Sequence, residues 1–271
     1  MCLILVAWRV HPQYPLVVAA NRDEFHSRPA SRAAFWDDKP DVLAGRDLQA
    51  RGTWMGVSRG GRFAAVTNYR GGTEPGAAES RGALVTRYLD GVDVPRLAER
   101  KAAYSGFNLL AADGAELWWL SNRDGAPRRL APGWYGLGNL LLDSPEVEGH
   151  KTRFRASPPS LEPLFEILAP ARIVDERYGT RCASVLLQGA ETRFAERAFD
   201  SKGIEEATLR YEFSTRRISC CGMPASSKIA PTSRKTVLAV EAERVRLRRQ
   251  HDLLHAAPAR FRHETGEDRA A

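Results

Sequence analysis

A chain of 271 residues with 43% hydrophobic content has enough apolar material for one large globular domain, or for one such domain and an appendage. Its net charge of +7 does not indicate nucleic-acid binding: 12 Lys/Arg against 6 Asp/Glu fall from Ser214 onward, leaving 28 against 27 before it, so the body has no basic balance for a nucleic acid or an anionic membrane. Four cysteines without regular spacing (Cys2, Cys182, Cys220, Cys221) suggest neither a disulfide framework nor a metal site, and a reducing, cytoplasmic setting is the expectation.

The chain opens Met1-Cys2. Trimming of Met1 before a small residue leaves Cys2 with a thiol and a free α-amine, groups that titrate near neutrality and can act together as nucleophile and base. The plainer alternative is a small apolar residue starting a buried strand. The run Leu3 to Trp8 is too short for a signal-peptide core or a membrane span. With Leu16 to Ala20, across the Pro-flanked break at residues 11–15, it predicts a buried hairpin. Asn21-Arg22-Asp23-Glu24 follows at once. In such a hairpin the end of strand 2 lies beside Cys2, so an arginine able to lower the thiol pKa and two carboxylates able to orient the amine come within reach. A solvated turn with an internal ion pair is the competing reading.

Gly45-Arg46-Asp47 and Gly52-Thr53-Trp54 are richer in glycine and charge than a loop needs; they line a pocket, or are turns with Trp54 in the core. Three further hairpins are predicted: 53–58 with 62–68, 106–112 with 116–121, and 182–188 with 193–199. Helical patterns cover 80–89, 94–104 and 161–168. Asn68, Asn108 and Asn139 recur in or after strands, where an asparagine amide serves an oxyanion hole or, more commonly, a turn. Arg181 immediately precedes the apolar Cys182 strand. His150, Cys182, Cys220 and Cys221 read as non-catalytic. Hairpins with helices between them give an α+β layout, and runs 2–8 and 182–188, apolar at nearly every position, predict strands covered on both faces. From Ser214 the chain becomes Arg/Ser/Cys/Pro-rich, then reads as one basic amphipathic helix over 236–254 and a polar end.

Met1-Cys2, Asn21-Arg22-Asp23-Glu24, Ala44-Gly45-Arg46-Asp47, Gly52-Thr53-Trp54, Thr67-Asn68-Tyr69, Ser80-Arg81-Gly82, Gly106-Phe107-Asn108, Ser121-Asn122-Arg123, Gly136-Leu137-Gly138-Asn139 and Tyr178-Gly179-Thr180-Arg181 stand in the order of a known family. Over residues 1–213 the chain resembles the NRDE family, which takes in transport and Golgi organization 2-like proteins and is similar to the N-terminal nucleophile hydrolases. The resemblance implies an αββα sandwich of two mostly antiparallel sheets, with the nucleophile at the start of a central strand. It implies catalytic roles for Cys2, Arg22, Asp23, Asn68, Asn139 and Arg181, and ligand contacts from Asn21, Glu24, Arg46, Trp54 and Asn108. The penicillin V acylase-like branch spaces its arginine and acid three residues apart. Arg22 and Asp23 are adjacent, so Asn21 with Glu24 fits that spacing equally, and which acid faces Cys2 stays open. The stretch 161–178 is shorter than the family pattern, and the tail 214–271 has no counterpart in it.

Two functions follow. One is an amidohydrolase with an N-terminal cysteine nucleophile, cleaving a non-peptide carbon–nitrogen amide bond of a small molecule without metal or cofactor. The other is a non-catalytic binding or trafficking protein for haem, lipid or acyl-coenzyme A, with His11 or His26 among the ligand contacts.

Overall fold

The computed structural model describes residues 2–70 and 77–215. The basic helix expected at 236–254 and the Cys220-Cys221 pair lie outside the described residues.

Two antiparallel sheets form the body. The six-stranded sheet has the order β10-β1-β2-β11-β12-β13, from β1 (Leu3–Trp8), β2 (Leu16–Phe25), β10 (Gly133–Leu137), β11 (Tyr178–Gln188), β12 (Glu191–Phe199) and β13 (Glu205–Ser214). The seven-stranded sheet is a meander in chain order: β3 (Ala30–Trp36), β4 (Lys39–Asp47), β5 (Met55–Ser58), β6 (Phe63–Asn68), β7 (Phe107–Ala112), β8 (Leu117–Ser121) and β9 (Arg128–Leu130). The four expected hairpins are present as β1–β2, β5–β6, β7–β8 and β11–β12.

Alternation along the strands builds the layers. On β1, Ile4, Val6 and Trp8 point between the sheets, with Leu43, Val57, Phe63 and Leu110 from the other sheet. Leu3, Leu5 and Ala7 point the opposite way, onto α3 (Glu148–Ala156) and α4 (Leu161–Leu168) through Phe154, Leu164 and Leu168. The seven-stranded sheet likewise packs its outer face on α1 (Gly82–Leu89) and α2 (Val94–Glu99) through Leu84, Val85, Tyr88 and Leu97. This is an αββα sandwich. A strand buried on both faces carries apolar residues at successive positions, which is why β1 reads as an unbroken apolar run. Each such side chain contributes about 1.5–3 kcal/mol when fully buried.

Three features depart from the sequence reading. β2 does not stop at Ala20 but continues through the charged tetrapeptide to Phe25. The α2 pattern ends at Glu99 and gives way to a short 3-10 turn at Lys101–Ala103. Strands β3, β4, β10 and β13 and helix α3 carry too little periodicity, or too many charges, to be read from sequence alone. No described helix is long and apolar enough to cross a membrane.

Candidate active site

Strand pairing sets the site. β1 and β2 run antiparallel with Leu3 opposite Asn21, so continuing that register by one residue puts Cys2 against Arg22. On the other flank of β1, Ile4 lies opposite Leu137, and continuing by two residues puts Cys2 against Asn139. β11 places Cys182 against Arg22. Asn139, Cys2, Arg22 and Cys182 therefore form one row across four neighbouring strands. Cys2 and Arg22 share the alternation of Ile4 and Ala20, and line a cavity of about 20 Å³ between the sheets with Trp54, Met55 and Thr67 from the other sheet. That volume holds about one water-sized group.

Cys2 is half-buried. Its Sγ accepts the Asp23 backbone N–H at 3.4 Å. Burial pushes the thiol up to about 11, and the Asp23 carboxylate adds to this; the Asp23 N–H and the Arg22 guanidinium pull the other way. Arg22 is only 7% exposed. Its guanidinium lies over the Trp54 ring, 4.2 Å from the centroid, and its Nη2 is 3.7 Å from Glu24. Its buried Nη1 has no hydrogen-bond partner among the described residues. Gly45 lies against the Trp54 ring, where a Cβ would meet it at 2.3 Å. Only glycine leaves room for the indole there, which accounts for the glycine that looked excessive in sequence.

The two acids of the tetrapeptide part company because they alternate. Asp23 points to the α4 side, where its Oδ1 accepts the Thr180 hydroxyl at 2.6 Å. Glu24 shares the inter-sheet face with Arg22 and lies 3.9 Å from Arg28, which is paired more closely with Asp47 at 2.7 Å. So Asp23 meets Cys2 through its backbone, and Glu24 serves the arginines. Asn21, on the Asp23 face, donates to the Leu168 carbonyl at 3.0 Å and ties β2 to the end of α4.

Asn139 is fixed at three points. Its N–H donates to Glu146 at 3.1 Å, its carbonyl accepts the Arg70 N–H at 2.6 Å, and its Nδ2 donates to the Asn68 carbonyl at 2.9 Å. Asn68 is exposed at the end of β6 and enters this arrangement through its backbone. Asn108 is fully buried and donates to the Leu140 carbonyl at 2.8 Å, which secures the segment after Asn139.

Of the sequence-selected residues, Cys2, Asn21, Arg22 and Trp54 line the cavity; the others do not, and two of them, Arg46 and Arg181, are engaged elsewhere. Arg46 forms a two-point ion pair with Asp38 at 2.6 and 2.7 Å and covers the Trp36 ring. Arg181 is the extra residue of a bulge in β11, and its guanidinium donates to the carbonyls of Phe25 and His26, both at 3.1 Å, so it clamps the turn after β2. Of the two histidines considered as ligand contacts, His11 packs edge-on to Trp134 in the β1–β2 turn, and His26 contacts the Asp175 carbonyl at 3.0 Å.

Four groups near Cys2 were given no role from sequence: Arg28, Arg81, Tyr178 and Thr180. The Tyr178 hydroxyl donates to the Asp23 carbonyl at 3.3 Å, and burial followed by the Cys2 and Asp23 charges raises its pKa. All but Arg28 lie in motifs noted above; the available signal was membership of a motif, without geometry to assign a part.

Over residues 1–161 the chain matches the family described as Transport and Golgi organisation 2. It is 40% identical to the human transport and Golgi organization protein 2 homolog over 164 residues, covering 54% of this chain and 59% of that protein. It is 32% identical to the Drosophila melanogaster transport and Golgi organization protein 2 over 182 residues, covering 58% and 64%. The match thus spans about three-fifths of the length of these relatives. Among solved structures, a Caenorhabditis elegans N-acylethanolamine-hydrolyzing acid amidase ortholog aligns with a TM-score of 0.46 and 12% identity, over 69% of this chain and 92% of that one.

Proposed function

The chain belongs to the Transport and Golgi organisation 2 family, and we propose that it is a hydrolase in which Cys2, exposed as the N-terminal residue by removal of Met1, attacks a non-peptide carbon–nitrogen amide bond of a small molecule. One observation carries this reading: a half-buried thiol shares a water-sized cavity with a buried guanidinium whose Nη1 has no partner. A buried donor left unpaired costs about 1–3 kcal/mol, so it belongs where an acceptor arrives during work.

In this mechanism the α-amine of Cys2 takes the thiol proton, and the sulfur bonds to the amide carbon. The carbonyl electron pair moves onto oxygen, which sits in the cavity against Arg22 Nη1. Collapse expels the amine, which takes a proton from the α-amine, and water then cleaves the thioester. Asp23 steadies the strand end beside the sulfur, and Asn139 closes the other flank of the row. A missing oxyanion donor typically raises such a barrier by about 3 kcal/mol. A cytoplasmic, reducing setting is part of the same proposal. The alternative, binding or trafficking of haem, lipid or acyl-coenzyme A, rests on the family alone.

The test is mass spectrometry of the purified protein for loss of Met1, followed by amine release from a panel of N-acyl amides. Release abolished in Cys2→Ala is the expected result. Retained Met1, or release unaffected by Cys2→Ala, overturns the proposal.

A further inference from the structure

The cavity beside Cys2 is lined from the six-stranded sheet by Arg22 and from the seven-stranded sheet by Thr67. Thr67 is 1% exposed. It follows the alternation of Phe63 and Ala65 along β6, whose side chains lie between the sheets, whereas its neighbour Asn68 is exposed at the strand end. The strand therefore presents to the cavity not the asparagine of Thr67-Asn68-Tyr69 but the threonine before it.

Asn108 lies opposite Thr67 on β7 and decides the state of its hydroxyl. The Asn108 Nδ2 donates to the Leu140 carbonyl at 2.8 Å, which settles which end of that amide is nitrogen. The same Nδ2 reaches the Thr67 Oγ1 at 3.5 Å. Toward an amide nitrogen a hydroxyl can only accept. The Thr67 O–H must therefore turn elsewhere, and no described residue accepts it; the Asn108 Oδ1 is itself without a partner. A hydroxyl hydrogen rotates freely about its C–O bond, so it can turn to the cavity. Thr67 is thus a second unspent donor on the cavity wall, from the sheet opposite Arg22 and its vacant Nη1. An unpaired buried donor costs about 1–3 kcal/mol, and valine, with the same shape, would avoid that cost at position 67. The space that both residues border holds one water-sized group, the size of a carbonyl oxygen.

We propose that Thr67 is a catalytic residue, whose hydroxyl donates to the oxyanion formed when Cys2 attacks, so that each sheet supplies one donor: Arg22 Nη1 and Thr67 Oγ1. This rests on the nucleophile reading. As the sulfur bonds to the carbonyl carbon, the carbonyl electron pair moves onto oxygen. The Thr67 proton stays on Oγ1 and hydrogen-bonds to that oxygen until the pair returns and the leaving group departs. Such donors act on the transition state more than on the bound substrate.

The test compares two reagents on the full-length chain, with rates at each cysteine resolved by mass spectrometry. p-Nitrophenyl acetate acylates a thiolate through a tetrahedral oxyanion, expelling p-nitrophenolate and leaving a thioester. Iodoacetamide alkylates the same thiolate by displacing iodide, with no oxyanion. Thr67→Val should slow acylation of Cys2 by about a hundredfold and leave its alkylation little changed. Thr67→Ser, which keeps the hydroxyl, should restore acylation. If Thr67→Val does not fold, Thr67→Ala takes its place in the comparison. An unchanged ratio of the two rates in the valine or alanine variant overturns the proposal and leaves the nucleophile standing. So does a serine variant that acylates as slowly as the valine one, or a wild-type Cys2 that is alkylated but never acylated. If neither reagent labels Cys2, the nucleophile reading and the role of Thr67 fall together.

Discussion

Cys2 and Cys182 flank the same guanidinium, one strand to either side of Arg22, on one row of one sheet. Both thiols are pushed up by burial. Their surroundings differ in what they leave open. Cys182 is 4% exposed, and its charged neighbour is Glu196, itself buried, with the Ala33 N–H donating to it at 2.7 Å and the Ser184 hydroxyl at 3.4 Å. Cys2 is half-buried, borders a cavity, and has arginine charge around it. The row shows that a shared cation does not make a thiol reactive; access and vacant donors separate the two.

The contrast can be broken most directly by alkylation of the native protein. Cys2 should react with iodoacetamide at least about a thousandfold faster than Cys182, whose labelling must await opening of the core. Equal site-resolved rates would end the distinction. Next in size, Trp54→Ala should cost about 3 kcal/mol by urea denaturation, since the indole packs against Gly45 and beneath the Arg22 guanidinium. A loss below about 1 kcal/mol would mean that the stack contributes little. Replacing Arg22 with Met should slow Cys2 labelling about tenfold at neutral pH, as the thiol loses the cation that opposes its raised pKa. A rate that rises instead would reverse the assigned electrostatics.

A further test is in pH. A thiol pushed up to about 11 from its ordinary value of 9.0 is protonated more firmly when folded, so its contribution is full below pH 9 and declines between 9 and 11. Wild-type stability should therefore fall over that window, and Cys2→Ala should fall less steeply. Parallel curves would place the titrating group elsewhere.

How much of this was legible follows from what each signal depends on. The hairpins β1–β2, β5–β6, β7–β8 and β11–β12 were readable because apolar runs and turn residues are local. That β2 passes through the charged tetrapeptide was not, because burial of Asn21, Arg22 and Asp23 depends on partners from distant segments: Leu168, Trp54 and Thr180. The neighbourhood of Cys2 and the tetrapeptide needed only hairpin geometry and could be read. Arg46 and Arg181 were singled out by their place in motifs, yet their guanidiniums are directed elsewhere. Arg81 stood in an equally visible motif, but its segment meets the wall of the Cys2 cavity through a backbone contact between Gly82 and Gly52, far apart in sequence, and no periodicity reports that.

The bulge at Arg181 also sets how the chain tolerates changes in length. It lets Thr180 and Cys182, two positions apart, serve opposite faces, the one reaching Asp23 and the other Arg22. The strand thus changes phase at a single residue. Deleting Arg181 would make Thr180 and Cys182 consecutive in a regular ladder, which keeps the hydroxyl opposite Asp23 and the thiol opposite Arg22 and removes only the bulge and its clamp on the Phe25 and His26 carbonyls. Tolerance of deletions should therefore be sharply unequal along β11: loss of a residue within 182–187 moves one segment of the strand to the other face of the sheet, whereas loss of Arg181 removes a bulge and leaves both pairings in register.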